Sequence, residues 1–84
     1  MDFKKSCDFM YSQMNNLSND QKLVMYALFK QASVGDAPIN SPSKMMLLDF
    51  SKWNAWNKVR GIKSVDAKNE YIKIANDVYK NLIN

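Results

Sequence analysis

Tyr26-Ala27-Leu28-Phe29-Lys30-Gln31-Ala32-Ser33-Val34-Gly35-Asp36 is the stretch whose reading decides the fold. It holds strong helix formers up to Ser33, then a β-branched residue, then a glycine, which takes the left-handed conformation at low cost and so ends a helix there. Working back from it, Ser18 is a good N-cap and Gln21 stands three residues on, where its side chain can reach back to complete a capping box. A helix over about Asn19 to Ser33 follows. Leu23, Ala27 and Lys30 share one of its stripes, and Tyr26 and Lys30 lie one turn apart, so a phenol and an ammonium project side by side. That pair suits a phosphate, the cation giving charge and the hydroxyl a directional donor. It equally describes a half-buried tyrosine with a lysine snorkelling over it.

The same periodicity runs outward in both directions. Phe3, Cys7, Met10 and Met14 recur at three and four, which puts them on one face of a first helix that stops at Leu17. From Asp36 to about Leu48, with Pro38 and Pro42, runs the one long connection, and loops of this length inside a compact domain are often functional. Asp49 is a candidate cap for a third helix to about Arg60, carrying Trp53 and Trp56, with Gly61 as its terminator. Ser64 is a candidate cap for a fourth, with an apolar stripe of Ala67, Tyr71, Ile74, Val78 and Leu82. Only two glycines and two prolines in 84 residues fit helices better than sheets. The expectation is all-α: one domain over residues 1–84, four helices with a long loop between the second and third.

Composition narrows the chemistry. There is no histidine and a single cysteine, Cys7, so an internal disulfide, a zinc site of nitrogen and sulfur ligands, and Ser-His or Cys-His nucleophilic machinery are all excluded. Nothing marks a Ser-Lys pair. Cys7 reads as a small buried hydrophobe. The formal charge of +4, from 12 Lys and Arg against 8 Asp and Glu, favours an anionic partner: nucleic acid, a membrane surface or a phosphorylated small molecule. No signal peptide and no apolar run of membrane-spanning length is present, which points to the cytosol. Trp53 and Trp56 read as core anchors before stacking platforms, and Tyr71 as core. The six methionines are adaptable core filler that would also suit a lipid pocket. The lysines of the fourth helix read as a solvated face.

The opening stretch resembles the acyl-CoA-binding protein family, whose usual pattern is Tyr-x-x-Tyr/Phe-Lys-Gln-Ala-Thr-Val-Gly-Asp. A second signature of that family, Lys-Trp-x-Ala-Trp, stands here as Lys52-Trp53-Asn54-Ala55-Trp56, and Gly61, Ala67 and the Tyr71-Ile72 pair follow in register. The resemblance covers essentially the whole chain. It implies a four-helix bundle in up-down-down-up order. It also implies that Tyr26, Lys30 and Lys52 grip the ribose 3′-phosphate of coenzyme A. Tyr26, Ala27, Leu28, Phe29 and Lys30 would line the adenine and phosphate region, with Phe29 on the base. Tyr71 would face the ligand from the last helix, and the tryptophans would be structural. Departures from the family are Phe29 for a frequent tyrosine, Leu48 and Phe50 where relatives often carry cations, Cys7 for a common alanine and Tyr11 for a lysine.

The function so implied is non-covalent binding, buffering and intracellular transport of medium- to long-chain fatty acyl-CoA, with no catalysis, no metal and no cofactor beyond the ligand itself. Lipid-metabolising enzymes and transient membrane contact are the expected partners, with no nucleic acid, and the expected state is a cytoplasmic monomer. Two other readings stay open on the residues alone. One is a small basic helical protein that binds nucleic acid through its lysines and aromatics. The other is an accessory domain of a larger enzyme.

Overall fold

The computed structural model describes residues 1–83. Four α-helices, Phe3–Ser12 (α1), Asn19–Ser33 (α2), Leu47–Lys58 (α3) and Ser64–Ile83 (α4), are joined by a 3-10 turn over Met14–Asn16, the long loop and a short turn, with no strand among the described residues. The α2 start is the expected capping box: Ser18 Oγ accepts from the Gln21 N–H at 3.1 Å, and Gln21 Oε1 accepts from the Ser18 N–H at 2.8 Å. Its end is also as expected, with Val34 as the last near-helical residue and Gly35 at φ +103°. At α1, Asp2 caps by accepting from the Lys5 N–H at 2.7 Å, a cap not foreseen. Met14 falls in the 3-10 turn, so the buried stripe of α1 stops at Met10.

Two expected caps are placed differently. α3 begins at Leu47 after Met46, with no side-chain cap, and Asp49 sits inside its first turn, where its charge faces the positive end of the helix dipole. Ser64 is the first residue of α4, where the Ala67 N–H donates to the carbonyl of Lys63, and the Ser64 hydroxyl instead donates to the Ala32 carbonyl at 2.6 Å. α3 ends at Lys58 rather than Arg60, with Gly61 at φ +87° in the turn beyond. The α4 stripe buries Ala67, Tyr71 and Ala75 and continues through Ile74 and Val78, but Leu82 is exposed.

Side-chain pairs give the helix directions. Phe3 meets Tyr71 and Phe9 meets Tyr79, so α1 and α4 run parallel. Ser64 at the start of α4 meets Ala32 at the end of α2, so those two run antiparallel. Trp56, late in α3, donates from Nε1 to the Gly35 carbonyl just past α2 (2.7 Å), so α2 and α3 are parallel. The order is up-down-down-up, and parallel neighbours require the long crossover of residues 34–46. α4 is the spine: both α1 and α2 pack on it, α3 packs on α2, and the core of Met10, Met25, Leu28, Ala32, Ala67, Tyr71 and Ala75 lies between them.

Candidate ligand-binding site

Because α1 and α2 each pack on α4 far more than on each other, a gap is left between them. The start of α3 borders it, and the result is a cavity of about 760 Å³. Along α2 its wall runs from Asn19 to Phe29, about 15 Å at the rise of an α-helix. Met10, Met14, Leu17, Leu23 and Met25 make the walls mostly apolar, and three of these five are flexible thioethers that adapt to a chain of any shape. The apolar faces of α1 and α2 were legible as periodicity. That they stand apart was not, because it follows from both competing for α4.

Aromatic and cationic side chains crowd one part of the wall. Tyr26 and Lys52 line the cavity. The Lys52 ammonium lies 5.3 Å from the Tyr26 ring centre and the Lys30 ammonium 5.9 Å, so two cations from different helices attend one phenol. Lys30 also lies 5.5 Å from the Trp56 ring centre, and Trp56 meets Tyr26 edge-on at 6.5 Å. Trp56, 8% exposed, is therefore the back of this cluster and a packing anchor at once. Burial and the nearby Asp49 carboxylate push the Tyr26 phenol up, which keeps its proton available for donation. Two ammoniums, the Asp49 carboxylate and a neutral hydroxyl donor therefore meet around this ring.

The remaining expected residues divide. Phe29 and Tyr71 line the cavity. Lys30 is set beside it, reaching the site through Tyr26. Ala27 and Leu28 are buried and turned to the core side of α2. Phe29 stacks on Phe3 with ring centres 6.2 Å apart, and Phe3 meets Tyr71 edge-on at 5.3 Å, so three helices contribute one stiff aromatic ladder. Burial pushes the Tyr71 phenol well up, and Cys7 opposite it adds to the shift. The Cys7 thiol is itself pushed up, first by burial, so it is a poor nucleophile in the cavity wall. Lys22 also lines the cavity and was not singled out. The signal was available: Lys22, Tyr26 and Lys30 are spaced by four along one stripe.

The scaffold behind the site is a set of hydrogen bonds that local patterns do not announce. Trp53 Nε1 donates to the Pro38 carbonyl at 2.8 Å, and Arg60 Nη2 donates to that of Ala37 at 2.6 Å, tying the first half of the long loop to α3 and to the turn that follows it. Asp36 accepts from the Gln31 Nε2 and the Gly61 N–H, each at 2.8 Å. The Gly61 N–H, then Gln31, then the positive Arg60 hold its carboxyl below its ordinary range. Trp53 is thus only half-buried, a brace for the loop rather than a core anchor. Among the described residues no group of three His, Cys, Asp or Glu is placed to hold a metal ion.

The chain is thus an all-α domain with a mostly apolar cavity and, at its wall, a tyrosine flanked by two lysine ammoniums. Residues 1–75 match the family described as acyl CoA binding protein, and the chain belongs to that family. It is 44% identical over 62 residues to the acyl-CoA-binding protein homolog 3 of Caenorhabditis elegans, covering 74% of this chain and 53% of that protein, so it spans about half the length of that relative. To the acyl-CoA-binding protein homolog of Drosophila melanogaster it is 43% identical over 70 residues, covering 83% of this chain and 81% of the other. The crystal structure of Oryza sativa acyl-CoA-binding protein 2 superposes with a TM-score of 0.89 at 30% identity, covering 95% of this chain and 89% of that one.

Proposed function

We propose that residues 1–84 act as one domain that binds medium- to long-chain fatty acyl-CoA esters non-covalently, buffers them in the cytoplasm and hands them to lipid-metabolising enzymes, without catalysing a reaction. The observation that carries this reading is the junction of a 760 Å³ apolar cavity with two ammoniums on one tyrosine. Tyr26, Lys30 and Lys52 take the 3′-phosphate, Phe29 stacks on the base, and Tyr71 closes the cavity from α4. Ala27 and Leu28 act from behind, by fixing the α2 backbone on the core. The protein works as a monomer, with transient membrane contact during loading and delivery.

Energetics favour a ligand with both halves. The fourteen or so methylenes of a palmitoyl chain contribute about 11 kcal/mol at roughly 0.8 kcal/mol each when fully buried. Association opposes binding by about 4–15 kcal/mol. Hydrogen bonds to a charged phosphate add about 1.5–3 kcal/mol each. Neither half alone gives a comfortable surplus. Isothermal titration with palmitoyl-CoA, free CoA and palmitate, at low and physiological salt, tests this. Tight one-to-one binding of the thioester alone, largely kept in salt, is the expected result. Equal affinity for palmitate and the thioester would overturn it, and binding to oligonucleotides that collapses with salt would favour the nucleic-acid reading instead.

A further inference from the structure

The long loop ends in an apolar feature that lies mostly outside the cavity. Ser43 closes a turn, its carbonyl accepting from the Met46 N–H at 2.9 Å and its hydroxyl from the Met45 N–H at 3.2 Å. The turn presents Lys44 and Met45 at its tip. Met45, Met46, Leu47 and Leu48 are then 92%, 57%, 75% and 65% exposed, four consecutive large apolar side chains in water, where scattered single ones would need no explanation. Leu48 also lines the cavity, and Lys52 stands one helical turn beyond it on the same wall. The patch is thus continuous with the cavity wall through Leu48.

We propose that the turn and first residues of α3, Ser43 to Leu48, are a bilayer-docking surface that inserts Met45, Met46 and Leu47 among the acyl chains of an anionic membrane and sets the cavity against the lipid. Three observations select a bilayer over other occupants. The side chains stand out from a turn instead of lining a groove, and a bilayer accepts protruding apolar groups without a matching pocket. A cation, Lys44, shares the tip, and the chain carries +4, which attracts anionic headgroups and opposes pairing with a second copy. The continuity through Leu48 gives an acyl chain an apolar path between bilayer and cavity. No helix among the described residues is long and apolar enough to cross a membrane, so this is contact with one leaflet. The inference rests on the carrier reading for its purpose, while its geometry stands apart from it.

The test is sedimentation of the full, ligand-free chain with vesicles of phosphatidylcholine, alone and mixed with phosphatidylserine. Wild type partitions onto the mixed vesicles and much less onto the neutral ones. The triple variant Met45→Ser, Met46→Ser, Leu47→Ser loses at least about tenfold of that partition. It keeps its thermal transition and its vesicle-free affinity for palmitoyl-CoA. Val65→Ser, an exposed apolar change at the start of α4 and the opposite end of the bundle, changes nothing. Lys44→Glu, at the exposed turn tip, removes the preference for phosphatidylserine and gives a second variant free of apolar change. Equal partition of wild type and the triple variant overturns the proposal, as does no vesicle binding by wild type. Wild-type dimerisation abolished by the triple variant would also overturn it, making the patch an interface between copies. Failure of the carrier reading appears separately, in the vesicle-free titration.

Discussion

Removing the Lys30 ammonium is the perturbation whose size and selectivity the geometry fixes best. Lys30 reaches the site from α2 and Lys52 from α3, each within 6 Å of the Tyr26 ring centre. A phosphate seated there takes a charge-assisted hydrogen bond from each. Loss of one, at about 1.5–3 kcal/mol, corresponds to roughly a 10- to 150-fold weaker complex. Lys30→Ala therefore weakens palmitoyl-CoA by that factor and the analogue lacking the 3′-phosphate by less than about threefold, since the apolar contribution and ring stacking are untouched. The ammonium also rests over Trp56 at 5.5 Å, a contact worth about 0.5–1 kcal/mol when exposed, so the variant stays folded with only a small drop in thermal midpoint. Lys30→Ala with Lys52→Ala is less than the sum of the two, because both cations serve one anion. Calorimetric titration of the four proteins against both ligands is the assay. Equal loss for the two ligands would refute the phosphate clamp.

Other outcomes follow from the packing. Ser18→Ala removes one arm of the α2 capping box and costs about 1 kcal/mol, a fall in Tm of about 4–8 °C for a domain of this size, with palmitoyl-CoA affinity unchanged; an unchanged melting curve would mean that the cap is idle. Tyr71 is held neutral by burial, so its contribution is fully present below its ordinary value of about 10 and is lost as pH rises beyond that, when the unfolded chain ionises first. Denaturant unfolding from pH 8 upward should show stability falling above about pH 10. Tyr71→Phe should flatten part of that fall, the remainder belonging to Cys7 and Tyr26, both shifted in the same direction. Identical pH profiles would mean that burial does not govern Tyr71.

Several consequences that depend only on close neighbours in sequence were legible, although Met14, Leu82 and the Ser64 cap were not. The Ser18–Gln21 box, the Gly35 stop and the Tyr26–Lys30 pair each appear as read. Position along a helix does not say which neighbour a helix chooses, and that choice opens the cavity: α4 draws both α1 and α2 to itself. For the same reason Cys7 and Met14 resolve into a cavity wall and not a uniform core stripe. Caps went astray where tertiary partners outbid local ones, as when the Ser64 hydroxyl takes the Ala32 carbonyl 32 residues away. The bracing of the loop by Trp53 and Arg60 spans 15 and 23 residues, and no spacing rule reaches so far.

Methyl NMR of the six methionines during titration with palmitoyl-CoA tests the central claim most directly, since they divide between cavity and surface. Met10, Met14 and Met25 line the cavity, while Met45 and Met46 stand on the loop outside it. Saturable one-to-one shifts at Met10, Met14 and Met25, with Met45 little changed in the absence of lipid, are the predicted result. Shifts confined to Met45 and Met46, or none at a ligand concentration that saturates calorimetry, would place the acyl chain elsewhere and contradict the account.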